Sequence, residues 1–442
     1  LFTRSTLKAL LLPLIFEQIL TAFMGIADTM MVSNISEAAL SAVSLVDSIN
    51  TLMLNLFSAL ATGGVIVCSQ YLGRKDPDSA NAAGRQVALV ALTLSTVLAL
   101  ACILPRRLLL RAVFGSIEAD VMDQALTYFL ITALSYPAVA LQQTAAALFR
   151  ADGRSKPPMV VSACANGVNI IGNAILIFGC GLGVAGAALA TLFSRILSAV
   201  VLLALLRAPH LTLRLDHYLS IRPQWGTIKT VLAIGVPAGV ENALFQVGKL
   251  AVQSTVSTLG TAAIAAQAMT ATLEAFQSTP CQAAGLALLT VAGQCMGAGR
   301  VDETKQHTRT LCLWSEGILV IGSAVVLGAF PLVRWFSSMS QESADLTWRL
   351  LVCVLAFKMF SWVLAFTLPN TLRASGDVAF TATVSGVTMW VFRVGMSTVL
   401  VRLLGFGLEG VWIGWCVDWL FRDIFYVWRY HSGRWAKKKV LS

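Results

Sequence analysis

Two carboxyl groups, Glu17 and Asp28, stand inside one apolar run, PLIFEQILTAFMGIADTMM, residues 13–31. At about 100° per residue their spacing is close to three helical turns, so in a helix both project from nearly one face. An ionised carboxylate in the middle of a membrane helix costs about 2.5–3.5 kcal/mol on insertion scales. Two in one helix therefore need a reason. The chemistry they offer is reversible: each can hold a proton or a cation and let it go. Pro13 and Gly25 let such a helix bend between them. The expectation is a bent helix with an acid-lined face turned toward a polar cavity.

The elements around that helix follow from composition. The chain has 442 residues, 57% hydrophobic and 12% charged, with a mean hydropathy of +0.76. A soluble protein carries about 25% charged residues, so this is a polytopic membrane protein. Apolar runs of membrane-crossing length recur about twelve times. Their expected spans are 9–32, 44–70, 86–106, 122–148, 159–179, 185–206, 229–258, 264–292, 308–330, 347–371, 378–402 and 409–430. No alternation of the kind a β-barrel needs is present.

The net charge is +10, and its distribution sets orientation. Lys and Arg gather at the N-terminus, in the even-numbered loops and after the last span, while the odd loops SNISEAAL, CGLG and LGTAA carry none. Both termini are expected in the cytoplasm of a multi-pass inner (plasma) membrane protein. The run Arg106, Arg107, Arg111 breaks the pattern. The basic tail reads as plain topological charge, with contact to anionic lipid as the alternative. The nine cysteines show no CxxC spacing and read as single buried thiols. No cleavable signal peptide is expected, since no small-residue cleavage site follows the first span.

The chain repeats itself. Pro13, Glu17 and Gln18 match Pro237, Glu241 and Asn242 at a shift of 224. SQYLGRKD matches GQCMGAGR, LFRADGRSK matches TLRASGDVA, and GLGVAGAA matches GFGLEGVW at nearly the same shift. Six spans per half is an even number, so the halves run parallel, related by an axis along the membrane normal, with the substrate path between them. The expected organisation is an N-lobe 1–206, a cytoplasmic linker 207–228 rich in Pro, Gly and charge, a C-lobe 229–430 and a basic tail 431–442. The fold class is thus an all-α membrane protein, about twelve transmembrane helices in two six-helix lobes with a pseudo-two-fold axis. The Gln–Gly pairs, Gln70 with Gly73 and Gln294 with Gly297, read as helix ends with Gly in the left-handed conformation. Arg150 and Arg373 read as topological anchors before Gly turns.

The first span with MGIADTMMVS, the loop QYLGRKD and its echo QCMGAGR, the RADG and RASG turns, and GVAGAALAT resemble the multidrug and toxic compound extrusion (MATE) family of the bacterial type, over essentially the whole chain. The resemblance implies an exporter of small organic, often cationic compounds, coupled to inward H+ or Na+ and working by alternating access. It also implies an ion site in the N-lobe: an acid on the first helix, two polar residues four apart on the fifth and a hydroxyl on the sixth. The matching positions are Asp28, Asn169, Asn173 and Thr191. Some family members have Asp where Asn173 stands, so this set has one charge fewer. Its oxygens still suit a hard cation such as Na+, and Asp28 can instead carry a proton.

The C-lobe does not repeat that set. Val252 matches Asp28, and Arg393 or its neighbour matches Asn169. The lobe has its own charges, Glu241, Lys249, Glu274, Lys358 and Arg393, readable as a compensated network or as a substrate site. Glu17 and Glu241, mirrored by the repeat, and Glu274 are the substrate or proton candidates. The expected coupling is competition of proton and cationic substrate for one carboxylate.

An enzyme is not expected. His210, His217, His307 and His431 sit in loops or near helix ends, and HExxH, GxSxG and a phosphate-binding loop are absent. No cofactor other than the coupling ion is implied, no nucleic acid is expected as a partner, membrane lipids surround the chain, and a monomer is expected. The rival function is a lipid or lipid-linked oligosaccharide flippase of the same superfamily, which would want a strongly cationic cavity.

Overall fold

The computed structural model describes residues 1–115, 118–216, 222–337, 340–438 and 440–441. His217, Lys439 and the middle of the 207–228 linker lie outside them. Among the described residues the regular elements are all helices. Their starts follow the local sequence. Thr3 caps α1 (Arg4–Ser33) by accepting from the Thr6 amide, and Ser36 caps α2 (Glu37–Gly73) through the Ala39 amide. Asp76 caps α3 (Pro77–Ile103) through the Ser79 amide, with Pro77 in the first turn, where its missing N–H is not needed.

Next come the short α4 (Arg106–Phe114), then α5 (Ala119–Leu134) and α6 (Tyr136–Ala151). α5 and α6 form one span bent by 43° at Ser135, next to Pro137. α7 (Lys156–Asn173) runs into a π-helical turn, Ala174–Gly179, and α8 (Gly183–Leu205) follows. The second half holds α9 (Trp225–Val256), α10 (Thr261–Gly297), α11 (Val301–Phe336), α12 (Gln341–Trp362), α13 (Pro369–Ala374), α14 (Val378–Thr388), α15 (Ser397–Arg402) and α16 (Gly407–His431).

All twelve expected spans fall on helices. Nine helices among the described residues are long and apolar enough to cross a membrane, ten with the bent pair. The other two expected spans lie on α10 and α16. α16 carries Asp418, Arg422 and Asp423, which are buried inside its own unit, so its sequence is less apolar than its surroundings require. The run RRLLLRAVF that broke the charge pattern is α4, with Leu110 buried and Arg107 and Arg111 exposed. It is a short amphipathic helix, for which interface placement is the physical expectation.

The internal repeat is structural. α10 is α2 displaced by 224 residues at both ends. Gly181 and Gly183 have positive φ, and so do their mates Gly405 and Gly407. One expectation needs correcting. Gly73 and Gly297 are the last helical residues, and the left-handed positions come two residues later, at Lys75 (φ 61°) and Gly299 (φ 72°). The helix needs one more turn residue before the chain reverses. A side chain in this region costs about 1–2 kcal/mol, and nothing lies within 4 Å of a Cβ built on Gly299. Gly299→Ala should therefore lose about 1 kcal/mol by backbone strain alone, and Lys75→Gly should be neutral or stabilising. Thermal unfolding in detergent checks this; a Gly299→Ala protein as stable as the parent would refute it.

Apart from a few terminal residues, the chain forms two compact units, Thr3–Gly239 and Val240–Val440. The boundary falls inside α9, so its first half belongs to the N-terminal unit. Gly63 lets α2 approach so closely that an added Cβ would meet the Val231 carbonyl oxygen at 2.8 Å. The linker before it is tied down in the same unit. Asn81 Oδ1 accepts from the Arg214 amide at 2.7 Å, and the Gln86 side chain bonds the backbone of both Arg222 and Gln224.

All nine cysteines are free, but Cys164, Cys180 and Cys353 are exposed rather than buried. Cys164 lies on α7 and Cys353 on α12, while Cys180 follows the π turn.

Candidate ion and substrate site

In the N-terminal unit α1, α2, α5, α7 and α8 surround a cavity of about 560 Å³. Its wall includes Asp28, Thr29, Asp47, Ser48, Tyr128, Asn173 and Thr191. Small residues bring α8 close enough to α7 to build it. A Cβ on Gly186 would meet the Leu176 carbonyl group at 2.9 Å, and one on Gly172 would meet the Ala190 side chain at 3.1 Å.

The four positions matched from the resemblance come together. Asn173 Nδ2 donates to Asp28 Oδ1 at 2.7 Å and to Asn169 Oδ1 at 3.0 Å. Asn169 Nδ2 donates to Thr191 Oγ1 at 3.2 Å and to Ser194 Oγ at 3.4 Å. This relay fixes both amides in one sense. Asn173 Oδ1 is left buried without a donor. A buried oxygen with no donor, beside a carboxylate and a hydroxyl, is the donor set a hard cation takes. Asn173 ends α7, and the π turn begins at the next residue; such turns gather at functional sites.

Asp47 on α2 also lines the cavity, and sequence reading missed it. It sits near the start of its span, where an acid passes for a boundary residue. The signal was there: an acid inside an apolar run with Asn50 one turn on.

Glu17 does not line this cavity. Its carboxylate lies 4.0 Å from Arg150 Nη1 instead, with Oε2 buried and unbonded. The two acids do not share this cavity, and the rise along the helix is the geometric reason. Eleven residues return to within about 20° of the same direction but rise about 16 Å along the axis. The mirrored Glu241 is likewise taken, by Arg373 Nη2 at 2.8 Å. The residues read as topological anchors are thus the partners of the residues read as substrate acids, once in each unit. Glu241→Gln and Arg373→Gln should each destabilise the protein, and the loss in the double variant should be smaller than the sum of the two. The expected coupling is about 1–3 kcal/mol in a double-mutant cycle on unfolding. Additive losses would show two independent residues.

Glu274 is held too, by a direct ion pair with Lys358. Lys358 is fully buried, with the rings of Trp362 and Trp419 5.7 and 5.8 Å from its ammonium. The counterpart of the N-terminal set carries charges of its own. At the 224 shift, Asn169 becomes Arg393, Thr191 becomes Trp415 and Ser194 becomes Asp418. Arg393 Nη2 lies 3.0 Å from Asp418 Oδ2, and its guanidinium packs 4.4 Å from the centre of the Trp415 ring. A built-in cation, Arg393, stands where the other repeat has the neutral Asn169.

Comparison with known proteins agrees with this architecture. The family model described as MatE matches twice, at residues 13–175 and 237–399, stretches that begin 224 residues apart. A probable multidrug resistance protein NorM of Thermotoga maritima is 25% identical over 99% of this chain and 94% of its own. The DNA damage-inducible protein F of Escherichia coli is 26% identical over 93% of each. Among solved structures, a MOP superfamily transporter from Pyrococcus furiosus, described as having a binding pocket of reversed polarity, superposes with a TM-score of 0.91 at 18% identity, covering 98% of this chain and 96% of its own. A MATE protein in complex with MaD3S superposes with a TM-score of 0.90 at 18% identity, covering 98% and 97%. With both halves matched by the family model and the same fold in these transporters, the chain belongs to the MatE family, the multidrug and toxic compound extrusion transporters of the bacterial type that its sequence resembles.

Proposed function

We propose that this chain is a multidrug exporter that moves small organic cations outward against inward H+ or Na+. The observation that carries the reading is the cavity of the N-terminal unit, with Asp28 bonded to Asn173 and an unpaired Asn173 oxygen beside it. A cavity of about 560 Å³ is in the size range of drug-sized ligand sites, far more than a bare ion needs. The relatives named as multidrug resistance proteins support the substrate class. In this reading the coupling ion and the organic cation compete for Asp28, so that loading one expels the other. Asn169, Asn173 and Thr191 orient the carboxylate and add oxygen ligands. The protein works as a monomer in the inner membrane, with both termini in the cytoplasm and lipid around it, and performs no covalent chemistry.

The test is purified protein in proteoliposomes, with efflux of a cationic dye followed under a pH gradient alone and a Na+ gradient alone. Export under one or both supports the reading. Dye retained under both gradients overturns it.

A second reading has one observation in its favour. Lys249 is exposed on α9, inside a membrane span, with the Phe245 ring 5.1 Å away and no ion pair among the described residues. A free cation there suits an anionic headgroup, as a lipid or lipid-linked oligosaccharide flippase would need. Headgroup movement without dye export in the same vesicles would favour it.

A further inference from the structure

The cavity of the N-terminal unit has a second carboxylate that neither the family match nor the ion set accounts for. Asp47 faces it from α2, while Asp28 faces it from α1. Asp47 is held rather than loose. Its Oδ1 accepts from Asn50 Nδ2 at 3.1 Å and from the Tyr128 hydroxyl at 3.2 Å. Asn50 is buried, and its own oxygen accepts from the buried Tyr136 hydroxyl at 2.9 Å, so the amide presents its donor side to Asp47. These donors all reach one oxygen. The carboxylate itself is exposed to the cavity.

We propose that Asp47 is a second ion-carrying carboxylate of this cavity, supplying from α2 the charge that the α7 position lacks at Asn173. The proposal rests on the cation-coupled reading above and deepens it: the cavity exchanges its cation and protons against two acids, not one. The other charged or titratable groups around Asp47 are Asp28 on α1, Tyr128 on α5, Tyr136 on α6 and Arg195 on α8. Arg195 Nη1 is committed to Ser135 Oγ at 2.8 Å, at the break between α5 and α6. Its fixed charge is felt by both acids. With both carboxylates ionised, the three charges sum to one net negative charge. Asp28 and Asp47 also repel each other. A cation near both removes that repulsion, and so does a proton on either one.

The experiment uses the full-length protein in nanodiscs in weakly buffered medium. Proton release is measured on adding Na+ or tetraphenylphosphonium to the parent, Asp28→Asn, Asp47→Asn and the double variant. Asn at position 47 keeps the oxygen that accepts from Asn50 and Tyr128, so the change is chiefly one of charge. Asp47→Asn is expected to weaken the effective cation by about tenfold or more and to reduce the protons released, with the double variant silent. Tyr128→Phe, which removes a donor but no charge, is expected to shift affinity by less than about threefold. As a readout free of mutation, labelling of the parent by dicyclohexylcarbodiimide is mapped by mass spectrometry. Label at both Asp28 and Asp47, blocked at both by the effective cation, supports the proposal.

Parent-like affinity and proton count in Asp47→Asn, or cation protection confined to Asp28, overturns the proposal while leaving the coupled reading intact. A parent that answers neither cation overturns both.

Discussion

Asp28→Asn is expected to abolish gradient-driven export while the protein still folds and reaches the membrane. The substitution is nearly isosteric. Its Oδ1 can go on accepting from Asn173 Nδ2, the 2.7 Å bond that ties α1 to α7. What disappears is the negative charge, and with it the ability to trade a proton for a cation. A hydrogen bond or contact to a charged group is worth up to about 3 kcal/mol, equivalent to about a hundredfold in cation affinity. Coupling suffers more than affinity does, because a neutral amide cannot cycle between two charge states. Dye efflux under the effective gradient, normalised to protein in the membrane, measures this. Export at the parental rate, at equal expression, would remove Asp28 from the mechanism and leave it a link between two helices.

The second large effect is on stability and belongs to the C-terminal unit. Asp418 on α16 is fully buried and lies between two buried guanidinium groups. Arg422 donates to both of its oxygens, at 2.9 and 3.1 Å. Arg393 approaches at 3.0 Å without hydrogen-bond alignment, and its Nε has no partner. Part of its charge is met instead by the Trp415 and Phe245 rings, 4.4 and 5.1 Å away. Removing the one carboxylate leaves two cations in a low-dielectric interior. Asp418→Asn should therefore lose about 3–5 kcal/mol, the penalty for breaking a buried pair from one side. Replacing Asp418, Arg393 and Arg422 together with apolar residues of similar volume should recover most of that loss. Unfolding temperatures in one detergent provide the comparison. A single variant as stable as the parent would mean that water reaches this cluster.

The two expectations draw on opposite uses of intramembrane charge. Asp28 has a neutral partner and room beside it, so its charge can be neutralised in more than one way. Asp418 is saturated by fixed cations and can only hold the fold. Sequence reading singled out Asp28 and did not name Asp418; an acid in an apolar run looks the same whether its neighbour in space is a cavity or an arginine.

The sequence by itself determined the class, the twelve spans and the repeat. These rest on local quantities: the length of apolar runs against membrane thickness, the absence of strand alternation, and residue identity at a shift of 224. It also supplied Asp28, Asn169, Asn173 and Thr191, through a resemblance whose positions the fold brings into one hydrogen-bonded group. Only the tertiary structure decided which acids are free. Glu17 and Arg150 are 133 positions apart in the chain, yet they meet, and so do Glu241 and Arg373. Asp47 reaches the cavity because α2 and α5 pack so that Tyr128 and Asn50 point its carboxylate there. The partner that neutralises a charge, or the space that leaves it exchangeable, comes from helices remote in sequence, and helical periodicity reports a residue's direction about its own axis but not what stands opposite.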